Sequence, residues 1–236
     1  MDCENWGLID YEEALLRQRR IQAEVIAGSS LGCVVFCEHP PTVTAGSSTH
    51  DVSFLQTPEQ MADNGIAFFK VERGGDLTFH GPGQLVCYPL LNLNTLRRDV
   101  HWYMRALEGA IIATCAQFGV VTERIAGRTG VWIVQPEGVK DSAEHFCQRR
   151  KIASIGVRLS RWCSMHGLAL NVRKQDARAV QAILPCGLAD IKVTSITEEL
   201  ELTGRVNEFE VNGGLQIDRI ADILMPHLAK QLGLAK

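Results

Sequence analysis

Four short segments of the 236-residue chain carry residue types that do chemistry. Pro185-Cys186-Gly187 fixes a cysteine on a tight bend, since proline sets its own φ and glycine frees the next residue. A thiol so placed either faces a cavity as a nucleophile or sits inert as a small buried hydrophobe. Lys151 opens the apolar run Ile152-Ala153-Ser154-Ile155-Gly156-Val157, so its amine either points into water or lies half-buried beside a site. The third segment, R-G-G-D-L-T-F-H-G-P-G-Q at 73–84, has four glycines and one proline between Arg73 and Gly83. Such backbone is expected to form neither helix nor strand, but a surface turn or a loop whose N–H groups approach a ligand. Arg73 and His80 at its ends favour the ligand loop. It is not a Walker A motif, because no G-K-[ST] follows, and it is not G-x-G-x-x-G. The fourth, Met165-His166-Gly167-Leu168-Ala169, holds a histidine that reads as structural. Cys163 and His166 are three residues apart, but a metal needs three or four ligands and no partner pair is evident.

Regular elements must position these groups. Asp10 is expected to cap a helix over 11–26, with Ala14, Leu15, Ile21 and Val25 near one face and Gly28 ending it. Cys33 to Cys37 reads as a buried strand stopped by Pro40-Pro41. A second helix is expected over 100–118, with Asp99 as N-cap and Gly119 as stop. Apolar runs at 130–134, 152–159 and 167–172 look like strands of one sheet. The polar, aperiodic stretch 135–150 between them reads as an exposed loop. Ser195-Ile196-Thr197-Glu198 carries the S-x-x-E signal for a helix start, and 217–232 reads as helical despite Pro226. The expected fold class is α/β (α+β), a mixed sheet flanked by helices. The expected domain organisation is one catalytic domain over 1–236, with room for a small C-terminal subdomain from about 198.

Composition narrows the function classes. Hydrophobic residues make 46% and charged residues 22%, ordinary for a globular chain. A net charge of −3 offers no footprint for nucleic acid. No apolar run is long enough to predict a membrane span. The start, Met1-Asp2-Cys3-Glu4-Asn5-Trp6, is acidic and lacks a hydrophobic signal core, and the eight cysteines form no C-x-x-C pair. Reduced thiols and a cytoplasmic location are the expectation.

Taken in order, these segments resemble the lipoyl(octanoyl) transferases of lipoate biosynthesis. The resemblance runs from Glu38-His39-Pro40-Pro41 through R-G-G-D-L-T-F-H-G-P-G-Q-L-V-C-Y-P at 73–89 and G-V-W-I at 130–133. It continues in K-I-A-S-I-G-V-R-L-S-R-W-C-S-M-H-G-L-A-L-N-V at 151–172, L-P-C-G at 184–187 and V-T-S-I at 193–196. It implies a fold shared with lipoate and biotin protein ligases and a Cys–Lys dyad. In that dyad Cys186 carries the acyl group, and Lys151 lowers its pKa and shuttles protons. Arg73, Gly74, Gly75, Asp76, Leu77, Thr78, Phe79 and His80 would wall the acyl chain. Ser154, Ile155 and Gly156, with Gly167, Leu168 and Ala169, would complete the pocket. The implied donor is octanoyl-acyl carrier protein, whose phosphopantetheine carries the octanoyl group. The implied acceptors are lipoyl domains of 2-oxoacid dehydrogenase E2 subunits and the glycine cleavage H protein. No ATP, no metal, no nucleic acid and no membrane are implied. Carrier protein and lipoyl domains tend to be acidic, so Arg97-Arg98, Arg149-Arg150 and Arg158/Arg161 are either docking charges or solvated surface. The ATP-dependent ligases of the same fold form an adenylate and need no cysteine. Cys186 in L-P-C-G argues against them, as does R-G-G-D-L-T-F-H in place of a G-R-G-R-x-G loop.

Overall fold

A computed structural model describes residues 2–133, 149–175, 182–183, 191–205 and 215–234. Cys186 and most of the polar stretch 135–150 lie outside them. The chain opens with β1 (Asp2–Leu8), α1 (Tyr11–Ala27), β2 (Gly32–Glu38) and β3 (Thr42–Ala45). A 3-10 turn at Asp51–Ser53 leads to α2 (Pro58–Asp63), β4 (Ala67–Lys70), β5 (Leu77–His80) and β6 (Gln84–Leu91). Next come α3 (Val100–Ala116), β7 (Thr122–Ile125), β8 (Arg128–Ile133), β9 (Arg149–Ser160) and β10 (Cys163–Asn171). β11 (Ile191–Val193), α4 (Ile196–Leu202) and α5 (Ile217–Gln231) complete the described chain.

The main sheet has the order β1-β2-β6-β10-β9-β8-β7, with β11 paired to the start of β9. The β1–β2 and β9–β11 pairs are parallel and the others antiparallel, so the sheet is mixed. Its central strands are buried on both faces. Val34 and Phe36 of β2, Leu85 and Cys87 of β6 and Leu168 and Leu170 of β10 join one apolar cluster. Their alternate neighbours Val35, Cys37, Val86, Tyr88 and Ala169 join another, as the two-residue strand period dictates. α3 and α5 cover the first face through Leu107, Ile111, Leu224 and Leu228, while α1 covers the second through Ala14, Leu15, Ile21 and Val25. A small sheet, β4-β3-β5, stands beside this framework with its own apolar cluster around Val43, Leu77 and Phe79.

Local signals located the helices. α1 ends at Gly28, whose φ of 77° is left-handed and whose N–H reaches the carbonyls of Glu24 and Val25. Asp99 caps α3 by accepting from the Trp102 N–H, and Ser195 caps α4 by accepting from the Glu198 N–H. Asp10 departs from expectation: it holds the N-cap position of α1 but makes no side-chain cap hydrogen bond. The glycine-rich segment departs further, because Leu77–His80 inside it is strand β5, paired antiparallel with Thr42–Ala45. Its glycines confine the turns to either side, Gly75 at φ 92° and Gly83 at φ 89°. The acidic N-terminus forms the edge strand β1, parallel to β2. Arg149 and Arg150, expected in the loop, open β9 instead. No helix among the described residues is long and apolar enough to cross a membrane.

Candidate active site

Strand β9 delivers Lys151 to the interior, where it is only 6% exposed. β8 pairs Trp132 opposite it, with an irregular register between Val131 and Trp132. The Lys151 Nζ lies 5.3 Å from the centroid of the Trp132 ring, a cation–π contact. Gly130, at φ 114°, leaves room for the lysine stem: a Cβ there would stand 2.7 Å from Lys151 Cε and 2.5 Å from the Ala153 carbonyl oxygen. The lysine is held from both sides of its strand, since its own carbonyl accepts from the Thr194 N–H at 3.0 Å.

The Arg73–Asp76 loop lies against the same strand. The Gly74 N–H donates to the Val157 carbonyl at 3.0 Å. Gly156 permits that approach, because a Cβ there would meet the Gly74 carbonyl oxygen at 2.9 Å and Arg73 Cδ at 3.0 Å. Arg73 is buried, and its Nη2 donates to the Thr44 carbonyl (2.7 Å) and Oγ1 (2.8 Å). His80, at the end of β5, begins a chain of polar contacts. The Gln84 Nε2 donates to Phe79 O (3.1 Å) and to Asn171 Oδ1 (3.0 Å), so Gln84 Oε1 is the acceptor that faces His80 Nδ1 at 2.8 Å. The proton therefore sits on Nδ1. Burial, helped by the nearby His39, pushes the His80 pKa down to about 3.

Three adjoining cavities share Thr78 and Ser154 as lining residues. The first brings Lys151 together with Leu77, Phe79, Gln84, Asn171, Ile183 and Val193. The second runs along β9 and β10 past Arg73, His80, Gly156, Gly167, Leu168 and Ala169. The third, of about 240 Å3, lies between the Gly75-Asp76-Leu77 turn, Ile155, Lys151 and the β8 residues Arg128 and Trp132. Of the residues singled out in the sequence, Lys151, Ser154, Ile155, Gly156, Gly167, Leu168, Ala169 and most of 73–80 thus meet in one place. Gly74 lines none of the three cavities and is occupied with Val157. Cys186 lies outside the described residues, yet Ile183 before it and Val193 after it both line the cavity of Lys151.

Three more residues belong to this neighbourhood. Tyr11, from the first turn of α1, stacks on His80 with ring centroids 5.8 Å apart, and only its place in the fold reveals it. Trp132 had a signal, the G-V-W-I run, but no spacing that gave it a task. His166 is 2% exposed with φ 60°, and neither ring nitrogen has a hydrogen-bond partner among the described residues. Burial, with the Arg73 guanidinium nearby, pushes its pKa down to about 4. Among the described residues no group of three His, Cys, Asp or Glu could hold a metal. The arginines differ in what they offer. Arg150 is committed to Glu199 through two bonds of 2.9 Å, and Arg158 pairs with Glu72 at 2.8 Å, whereas Arg98, Arg149 and Arg161 are exposed.

The two depressed histidines make the fold acid-sensitive. In the unfolded chain an imidazole binds its proton near pH 6.5, but folded His166 resists until about 4 and His80 until about 3. The unfolded state therefore binds more protons below pH 6.5, and stability falls as pH drops from 6.5 through these values. His166→Asn, whose side chain tolerates the left-handed backbone, should lower the slope of unfolding free energy against pH by about 1.4 kcal/mol per pH unit in that window. Urea melts at several pH values measure it. Equal slopes in variant and wild type would remove His166 as a source.

Residues 10–212 match the lipoyl protein ligase A/B catalytic domain family. The chain belongs to this family, and it is an acyltransferase. It is 38% identical to an octanoyltransferase of Cytophaga hutchinsonii, covering 95% of this chain and 89% of that one. It is 40% identical to an octanoyltransferase of Acidothermus cellulolyticus, over 94% and 91%. Among solved structures, the bipartite lipoate protein ligase of Thermoplasma acidophilum superposes with a TM-score of 0.60 at 15% identity, covering 98% of this chain and 83% of that one. The biotin protein ligase of Aquifex aeolicus does so with a TM-score of 0.51 at 12% identity, over 99% and 69%. These two likenesses establish the fold, which is that of the lipoate and biotin protein ligases.

Proposed function

We propose that this chain transfers an octanoyl group from the phosphopantetheine thioester of acyl carrier protein to a lysine of lipoyl domains, through a thioester on Cys186. The observation that carries the reading is the buried Lys151, whose cavity is lined by the chain on either side of Cys186. Its relatives' name, octanoyltransferase, supplies the acyl group. The acceptors are the lipoyl domains of 2-oxoacid dehydrogenase E2 subunits and the glycine cleavage H protein, and the compartment is the cytoplasm. The whole chain acts as one catalytic unit, with α5 packed on α3 against the same apolar cluster.

In the first half-reaction the Cys186 thiolate attacks the donor carbonyl, and the pantetheine thiolate leaves with a proton from the Lys151 ammonium. Lys151, now an amine, next accepts a proton from the target lysine amine as that nitrogen attacks the acyl-enzyme. The amide forms, the C–S bond breaks, and Cys186 returns as thiolate beside a lysine again protonated. A thioester carries its own activation, so neither ATP nor a metal enters. The acyl chain is assigned to the crevice that Gly156, Gly167, Leu168 and Ala169 line along β9 and β10.

Intact-mass spectrometry after mixing with octanoyl carrier protein, without nucleotide, tests the reading. One octanoyl adduct, labile to hydroxylamine and mapped to Cys186, is expected, and Cys186→Ala should give none. An adduct on Cys163 or Cys87, or turnover dependent on Mg-ATP and free octanoate, sinks it.

A further inference from the structure

Two residues that line the third cavity, Trp132 and Asp76, each carry a buried polar atom with no hydrogen-bond partner among the described residues. Trp132 is 1% exposed, and its indole Nε1–H has no hydrogen-bond partner among the described residues. Across the same cavity, Asp76 accepts from the Ser53 hydroxyl through Oδ2 (2.5 Å), while its Oδ1 is buried without a partner among them. Leaving one buried polar atom unsatisfied is costly, and two on residues that line the same cavity need an explanation. A secondary amide offers a carbonyl to a donor and an N–H to an acceptor, and so complements this pair. An alkyl chain would satisfy neither.

From this we infer that the cleft between Trp132 and Asp76 is a binding site for a secondary amide of the arm that brings a substrate to Lys151. The inference rests on the transferase reading above. Under that reading two arms carry such amides: the pantetheine arm of the donor, and the peptide groups flanking the target lysine. The amide carbonyl accepts from the Trp132 Nε1–H, and the amide N–H donates to Asp76 Oδ1. Trp132 then holds Lys151 through its ring face and the substrate arm through its ring edge.

Single-turnover acylation of the full chain should be measured with octanoyl-pantetheine, with an analogue whose amides are replaced by esters, and with octanoyl-ethanethiol. Losing one buried hydrogen bond costs about tenfold, so the wild type should favour the amide donor over the ester analogue by about that factor. Trp132→Phe keeps the aromatic face over Lys151 and removes the N–H. It should shrink the preference for octanoyl-pantetheine over octanoyl-ethanethiol by about tenfold. Should that preference stand unaltered while Trp132→Phe slows transfer from acyl-enzyme to lipoyl domain about tenfold, the amide comes from the acceptor. Asp76→Asn supplies a second variant if Trp132→Phe folds poorly, and should narrow the same preference. No change in donor preference, and equal transfer rates to the lipoyl domain, would overturn the inference. Octanoyl-ethanethiol would still acylate Cys186 in that case, leaving the transferase reading in place.

Discussion

Lys151→Ala is expected to slow transfer to the lipoyl domain by at least about a hundredfold, and acyl-enzyme formation by less. The difference follows from what a nearby cation does for a thiol. An ordinary thiol is about 3% ionised at pH 7, and about half ionised once a cation has brought its pKa to neutrality. That fifteenfold gain, roughly, is reduced by about four- to sixfold because a less basic thiolate attacks more weakly. Net, ionisation contributes only about threefold. General acid–base catalysis contributes about 10²- to 10⁴-fold, and the second half-reaction needs it more, since an incoming amine must lose a proton. Lys151→Met keeps the buried stem beside Gly130 and Trp132, and so separates lost chemistry from a collapsed cavity. Rapid-quench measurement of both half-reactions checks the claim. A loss of threefold or less in each, in both variants, would mean that Lys151 moves no proton.

Much of this arrangement was legible in the sequence, and what was hidden had physical reasons. α1 and α3 announced themselves because their apolar periodicity and end signals are local, as Gly28 and Asp99 show. β5 was concealed because it is only four residues long and flanked by glycines that dominate any local reading. β6 was concealed differently. Buried on both faces, Leu85 to Leu91 shows no alternation, and Pro89 within it argues locally against a central strand. Arg150 looked like a surface charge because its partner, Glu199, is supplied by α4 far along the chain. Motif resemblance gathered 73–80, 154–156 and 167–169 as one set. It could not say that Gly74 is engaged with Val157, or that Tyr11 stands over His80. Those facts belong to the sheet, in which β9 and β10 lie side by side and α1 crosses one face.

The glycine of G-V-W-I shows how a position without any reactive group governs one that has it. Gly130→Ala leaves Lys151 intact, yet the added Cβ would stand 2.7 Å from its Cε and 2.5 Å from the Ala153 carbonyl oxygen. The carbonyl belongs to the backbone of the sheet and cannot withdraw, so the lysine stem and the β8–β9 register must shift instead. The φ of 114° adds strain for any residue with a Cβ. Two effects are therefore expected: a stability loss of about 1–3 kcal/mol, and a fall in kcat/KM of up to about a hundredfold from displacement of the amine. Gly204→Ala separates them. Gly204 has φ 68°, and a Cβ added there would have nothing within 4 Å, so alanine brings the strain without the collision. At temperatures where both variants are folded by urea titration, Gly204→Ala should keep wild-type activity while Gly130→Ala approaches the rate of Lys151→Ala. If Gly130→Ala instead retained full activity after correction for its folded fraction, the position of the lysine amine would not control the rate.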